Sequence, residues 1–127
     1  MNNLNIIESK STPKIDFNIE THIHYITGES YPENSSNFYE PILEWIENYL
    51  EYIDNQKVIF NIELIYFNSS SSRVLMDIFD MLDEACGDGK TIIVNWFYDE
   101  EDEALEEYGE EFAEDMEYLT FNIEEKS

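Results

Sequence analysis

Alternating apolar and polar residues near the start of the chain predict two strands. Two short alternating runs, 15–19 and 23–27, flank a turn at 20–21 and predict a β-hairpin. In the second run, Ile23, Tyr25 and Thr27 share one face, so we expect that face to be the packed one.

Two longer apolar runs predict the central strands of a sheet. Residues 58–67 and 91–98 are rich in β-branched and aromatic side chains, which favour strands. Weaker runs at 4–7 and 118–123 predict a short strand near each end of the chain. The stretch Gly28–Ser35, which follows the hairpin, contains Gly, Pro and Asn and is therefore predicted to be a loop.

Three other segments carry apolar residues at helical spacing. Because Pro41 is tolerated only in a first turn, we expect the first helix to begin near it. Gly109 is expected to weaken the third helix and to mark a bend. The apolar stripes are Phe38, Ile42, Trp45, Ile46, Tyr49 and Ile53; Val74, Leu75, Ile78, Phe79, Leu82 and Ala85; and Leu105, Tyr108, Phe112 and Met116.

This order of elements predicts one α/β domain spanning residues 1–127. Right-handed crossovers would make the strands ending at Thr27, Phe67 and Tyr98 parallel, within a mixed sheet whose central strands are flanked by helices. The run 91–98 is apolar on both faces, which predicts helices on both sides of that strand. The loops after the parallel strands would then share one edge, the usual functional edge of such sheets.

The charge balance excludes two classes of partner. Thirty acidic residues against six basic ones give a net charge of −24, which disfavours nucleic acids and anionic lipid. Cys86 is the only cysteine, so no intrachain disulfide can form and a reducing compartment is expected. Without a secretory signal pattern or a long apolar run, we expect a cytoplasmic protein that does not enter a membrane.

The junction between the strand 58–67 and the second helix is the most informative site. Asn68 is followed by four serines, which are favoured at helix starts and would cap this one. A helix N-terminus also stabilises an anion, so one of these serines is a candidate phosphorylation switch. Arg73, the only arginine, lies four residues after Ser69.

The sequence resembles the SiaC family of regulatory phosphoproteins, and the resemblance covers nearly the whole chain. It implies a STAS-like fold, the fold of anti-sigma factor antagonists. It also implies that the phosphorylated residue is Ser69, although Thr is typical at that position; Ser70, Ser71 and Ser72 are less favoured. The stretches that carry the resemblance are Pro13-Lys14-Ile15, Gly28-Glu29-Ser30-Tyr31-Pro32-Glu33-Asn34-Ser35, Tyr66-Phe67-Asn68-Ser69-Ser70-Ser71 and Trp96-Phe97-Tyr98-Asp99-Glu100-Glu101-Asp102.

The resemblance further implies a signalling circuit without catalysis by this chain and without a cofactor. A histidine-kinase-like Ser/Thr kinase would phosphorylate the chain, and a metal-dependent phosphatase of the PP2C type would reverse the modification. The unphosphorylated form would bind and activate a diguanylate cyclase, or another output regulator, and so promote cyclic-di-GMP signalling and biofilm growth. We expect partner contacts from Glu29, Tyr31, Pro32, Glu33, Asn34, Asn68, Ser69, Arg73, Tyr98, Asp99 and Glu100.

Two constellations of metal-binding residue types offer alternatives. Acidic residues near the serines, 99–102, would suit Mg²⁺ and give a metal-assisted hydrolase, although acids at a helix start are more often solvated. His22 and His24 lie two apart on a predicted strand and so would share one face, but no third ligand accompanies them. We therefore predict no metal site.

Overall fold

The chain forms one six-stranded sheet, in which the strands lie side by side in the order of the sequence. The computed structural model describes residues 1–126. Its strands are β1 (Leu4–Ile6), β2 (Lys14–Phe17), β3 (Ile23–Ser30), β4 (Lys57–Phe67), β5 (Thr91–Asp99) and β6 (Thr120–Lys126). Its helices are α1 (Ser35–Tyr52), α2 (Ser69–Gly87) and α3 (Glu103–Glu114).

The pairing of the strands confirms the mixed sheet with parallel central strands. Strands β1, β2 and β3 pair antiparallel, and β3 to β6 then pair parallel. Each parallel connection runs through one helix, as parallel pairing requires of a short chain. The predicted α/β class, with a mixed sheet whose central strands are parallel, is thus confirmed.

All three helices pack on one face of the sheet. Helix α1 meets that face where the rings of Tyr49 and His24 lie 4.8 Å apart. Helices α2 and α3 meet it at Trp96, whose ring lies 6.4 Å from Phe79 and 5.4 Å from Phe112. The aromatic and aliphatic side chains of this face form the buried core.

The opposite face of the sheet carries no helix within residues 1–126, so the predicted covering of β5 on both sides is wrong. A row of amides crosses this face instead: Asn95 donates to Asn61 at 2.9 Å, and Asn122 donates to Asn95 at 3.1 Å. The apolar residues between them are half-buried by their neighbours in the sheet. Their apolar character reflects strand propensity and not a second layer.

Strand β3 differs from its prediction in length and in facing. It continues to Ser30 through residues predicted as loop, because the register shifts after Gly28, whose positive φ of 113° suits glycine. The residues that face the core are His24 and Ile26, whereas Tyr25 is 43 % exposed. The prediction of the packed face was therefore wrong by one residue.

The start of the first helix also differs from its prediction. Helix α1 begins six residues before Pro41, since the side chain of Asn34 caps it by accepting from the Asn37 N–H at 3.0 Å. Helix α3 begins at Glu103 and buries Leu105, Gly109 and Phe112. No helix of the described chain is both long and apolar enough to cross a membrane.

Candidate functional site

The site predicted from the sequence lies where β4 ends and α2 begins. The helix cap is Asn68 rather than a serine: its Oδ1 accepts from the Ser71 N–H at 2.9 Å. Its backbone carbonyl accepts from the Ser72 N–H at 2.9 Å. Because Asn68 satisfies the cap, the serine hydroxyls are left for other contacts.

The four serines of this junction differ in exposure. Ser71 is completely buried, Ser72 is half-buried, and Ser69 and Ser70 are exposed. The Ser70 hydroxyl is hydrogen-bonded to Ser35 Oγ at 2.8 Å and donates to Asn68 Oδ1 at 3.2 Å. Within residues 1–126, no side-chain hydrogen bond involves the Ser69 hydroxyl, so this exposed hydroxyl holds no contact of the fold.

The buried Ser71 hydroxyl joins three elements of the fold. It lies 2.8 Å from Ser30 Oγ of β3, which in turn lies 2.6 Å from the Tyr39 hydroxyl of α1. Burial raises the pKa of Tyr39, so its hydroxyl stays protonated at neutral pH. Sequence reasoning missed the structural roles of Ser30, Ser35 and Tyr39, since hydroxyls in a predicted loop and beside an apolar stripe carry no local signal of pairing.

The end of β3 lies directly beside the serine junction. The Asn68 N–H donates to the Ser30 carbonyl at 3.1 Å, and the ring of Tyr31 packs 5.7 Å from that of Tyr66. Glu29 is half-exposed and Pro32 is buried, so of this predicted set Pro32 offers no surface to a partner. Among the remaining predicted residues, Glu33 and Asn34 are exposed, and Asn34 serves as the α1 cap.

The acidic loop after β5 lies at the same edge, one strand further along the sheet. Asp99 Oδ1 accepts from the Glu101 N–H at 2.9 Å, and Asp102 Oδ1 caps α3 by accepting from the Leu105 N–H at 3.1 Å. Glu100 is exposed. Two of the four carboxylates in this loop thus stabilise the local backbone through hydrogen bonds.

Tyr98, at the base of this loop, is tied to α3. Its hydroxyl donates to Glu106 Oε2 at 3.0 Å. Desolvation, together with the hydrogen bond and the negative charge of Glu106, raises the pKa of Tyr98. Tyr98 therefore links β5 to α3 by a hydrogen bond, and part of its ring remains at the surface.

The structure places Arg73 away from the acidic loop. It is exposed on α2 and lines, together with Ser35 and Ser70, the upper end of a groove between α1 and α2. Within residues 1–126 the one ion pair joins Lys126 to Glu63, so the Arg73 guanidinium is unpaired there. The predicted site residues therefore divide between the sheet edge and this groove.

No observation favours the metal-assisted hydrolase. In the part of the chain that the structure describes, no three His, Cys, Asp or Glu side chains are grouped to hold a metal ion. The acidic residues 99–102 that suggested the reaction include two carboxylates already bonded to backbone N–H groups.

His22 and His24 have separate structural contacts. His22 has a positive φ of 59°, and its Nδ1 lies 2.6 Å from the Tyr49 hydroxyl. His24 is fully buried among aromatic rings, and its Nδ1 accepts from the Asn18 N–H at 3.0 Å. Burial, with a smaller contribution from the charge of His22, lowers the pKa of His24 to about 3, so this ring is neutral in the fold.

Comparison with known proteins connects this fold and site to one family. A family model described as "SiaC family regulatory phosphoprotein" matches residues 6–126. An uncharacterized protein of Pseudomonas aeruginosa (strain UCBPP-PA14) is 35 % identical over 119 residues, which cover 93 % of each chain.

Solved structures agree over the whole length of the chain. A structure of the diguanylate cyclase SiaD in complex with its activator SiaC, from Pseudomonas aeruginosa, matches with a TM-score of 0.90 and 33 % identity, covering 97 % of this chain and 99 % of that one. The structure of apo-SiaC from the same organism matches with a TM-score of 0.87 and 32 % identity, covering all of both chains. This chain therefore belongs to the SiaC family of regulatory phosphoproteins.

Proposed function

We propose that this chain is a non-catalytic, phosphorylation-switched activator of a diguanylate cyclase, with Ser69 as the switch residue. In the unphosphorylated state it binds the cyclase and raises synthesis of cyclic-di-GMP. A Ser/Thr kinase of the histidine-kinase-like type phosphorylates Ser69, and a PP2C-type phosphatase restores the binding form. Both reactions take place in the cytoplasm, where ATP is available to the kinase.

One observation carries the choice of Ser69. Of the four serines, it alone combines an exposed position at the first turn of α2 with a hydroxyl free of side-chain hydrogen bonds within residues 1–126. Phosphorylation of Ser71 would require the core around Ser30 and Tyr39 to open. Phosphorylation of Ser70 would break its contact with Ser35.

The position of Ser69 also supports the sign of the switch. A phosphate adds about −1.5 to −2 charges and three acceptor oxygens at the surface beside Tyr31 and Asn68. The α2 N-terminus stabilises that charge in the free protein. A partner that covers the edge must strip water from the phosphate, so we expect binding to fall by one or more orders of magnitude.

The cyclase is proposed on the strength of the relative that shares this fold. SiaC of Pseudomonas aeruginosa is the activator of the diguanylate cyclase SiaD and is 33 % identical to this chain in that complex. The match extends over nearly the full length of both chains, which supports the same mode of regulation here.

The proposal is tested with the diguanylate cyclase of the same genome that most resembles SiaD. Titration calorimetry and cyclic-di-GMP synthesis are measured with the unmodified chain, the chain phosphorylated at Ser69, Ser69→Ala and Ser69→Glu. We expect Ser69→Ala to match the unmodified chain, Ser69→Glu to bind several-fold more weakly, and the phosphorylated chain to bind most weakly.

Thr91→Glu is the matched control, because it adds one charge at an exposed position at the opposite end of the parallel strands. It should leave activation unchanged. Tighter binding by the phosphorylated chain would reverse the proposed sign, and phosphopeptide mapping outside 69–72 would exclude the site.

A further inference from the structure

A long groove runs along the outer surface of α1 and α2, where the two helices lie side by side. Its upper half, of about 620 Å³, is lined by Leu43 and Val74, and its lower half, of about 510 Å³, by Leu50, Met81 and Ala85. These apolar side chains are half-buried against the core and half-exposed to the groove. The floor of the groove is therefore apolar.

The walls of the groove are mainly acidic, with one cation near each end, Arg73 in the upper half and Lys90 in the lower half. Residues Glu40, Glu44, Glu47 and Glu51 follow one another at spacings of three and four on α1, which places them in one line. The facing wall on α2 carries Asp77 and Glu84. Like charges along both walls repel one another in the free protein, and a cationic occupant relieves that repulsion.

The size of the groove suits one helix. Its two halves share Glu47 and together follow about 17 residues of α1, or roughly 25 Å at 1.5 Å per residue. An apolar floor between charged walls is the surface that receives the apolar stripe of an amphipathic helix.

We propose that this groove binds a basic amphipathic helix of the protein that the chain regulates. The helix would place its apolar stripe on the floor and its Lys and Arg side chains against the two acidic walls. This inference rests on the proposed function, since it names the surface by which the regulated partner is held.

The charges at the two ends of the groove set the direction of that helix. The unpaired guanidinium of Arg73 lies at the upper end and suits the carbonyl groups at a helix C-terminus. At the lower end, Glu51, Glu84 and Asp88 outnumber Lys90, whose ammonium group donates to the Ile53 carbonyl, so this end suits the positive N-terminus. The C-terminal end of the bound helix would thus lie near the start of α2.

This direction connects the groove to the switch. Ser70 and Ser35 line its upper end, one residue from Ser69 along α2. A phosphate on Ser69 would repel the carbonyl end of the bound helix and compete for Arg73, four residues on. Phosphorylation would then weaken binding even though the remainder of the helix is cationic.

The first test uses two labelled synthetic peptides of ~18 residues, built from Leu, Lys, Arg and Ala. One has its Leu residues on a single helical face, and the other is a scrambled sequence of the same composition. Anisotropy titrations with the full chain should give at least about tenfold tighter binding of the amphipathic peptide. Equal binding of the two peptides would mean attraction to net charge alone and would overturn the proposal.

The second test compares variants that change the net charge equally. Glu44→Lys with Glu47→Lys alters the groove, and Glu107→Lys with Glu110→Lys alters exposed positions on α3. The substitutions in the groove should weaken binding of the amphipathic peptide by about tenfold or more, and those on α3 should weaken it by less than about threefold. Asp77→Lys tests the α2 wall independently should the first pair unfold the protein.

The cyclase assay separates failure of the groove from failure of the proposed function. If the groove variants activate the cyclase normally while the chain phosphorylated at Ser69 does not, the groove proposal is wrong and the switch stands. If Ser69 phosphorylation has no effect while the groove variants abolish activation, the groove stands and the switch is wrong. A dimer of this chain that is lost in the groove variants would identify a second copy as the occupant and overturn the proposal.

Discussion

At the scale of single residues, the contact between Gly109 and Trp96 explains how α3 lies on the sheet. A Cβ atom at Gly109 would lie 2.6 Å from Trp96 Cδ1 and 2.8 Å from its Nε1. That indole also donates to the Leu105 carbonyl at 2.9 Å, which fixes the ring beneath the helix. Glycine is present for close approach, and α3 continues through it as one helix from Glu103 to Glu114.

Gly109→Ala should therefore destabilise the protein although alanine favours helices. The gain in helix propensity is about 1 kcal/mol, whereas overpacking a core costs typically 1–3 kcal/mol. We expect a net loss in the free energy of unfolding, measured by urea denaturation. Glu110→Ala, at the next and exposed position, is the control and should change stability by less than about 0.5 kcal/mol. A more stable Gly109→Ala protein would mean that α3 moves freely over Trp96.

At the scale of elements, one carboxylate fastens the connection from α3 to β6 onto α2. Asp83 Oδ1 accepts from the N–H groups of Glu117, Tyr118 and Leu119 at 3.0, 2.7 and 2.8 Å. Partial desolvation opposes ionisation, but the three hydrogen bonds outweigh it and lower the pKa of Asp83. The Asp83 side chain on α2 thus holds the segment that leads into β6.

Asp83→Ala should reduce the free energy of unfolding by about 2–3 kcal/mol, because three N–H groups lose a charged acceptor. Asp83→Asn keeps an acceptor without the charge and should lose less. Since the folded pKa lies below the unfolded one, the advantage of the wild type over Asp83→Asn is present above the unfolded pKa. It should disappear as the pH falls through the folded pKa. Denaturation curves at neutral and acidic pH measure this difference, and an advantage that grew on acidification would contradict the assignment.

At the scale of the whole molecule, acidic charge is spread over helix surfaces with little compensation. The net charge is −24, and one ion pair, Lys126 with Glu63, occurs within the described residues. Helix α3 adds exposed glutamates at nearly every outward position. Folding brings these charges together and therefore works against their repulsion.

Salt should stabilise this protein. Raising NaCl from about 0.02 M to about 0.5 M shortens the Debye length to a few Å, which screens the repulsion, so the melting temperature should rise. The exchange of Glu107, Glu110 and Glu114 for Gln should raise the melting temperature at low salt and reduce its dependence on salt. Glu106 is retained because it accepts the hydrogen bond from Tyr98. A melting temperature that fell with salt would mean that attractive ion pairs dominate.

The sequence by itself determined the order of the elements, the parallel central strands and the junction at Asn68. These features depend on local information: the period of apolar residues, the handedness of crossovers and the side chain that caps a helix. The family also followed from local stretches, since the residues 28–35, 66–71 and 96–102 are contiguous in the chain. The position of the predicted phosphorylation loop needed no knowledge of packing.

Only the tertiary structure decided which side chains of that loop are free and which hold the fold. Ser69 and Ser71 are two steps of about 100° apart on one helix, so their exposure depends on what packs against each side. Ser30 and Tyr39 bury one of them, and both come from elements distant in the chain. The one-sided sheet and the acidic groove between α1 and α2 arise in the same way. Each depends on how separate elements meet in space, and residue types along the chain do not encode that meeting locally.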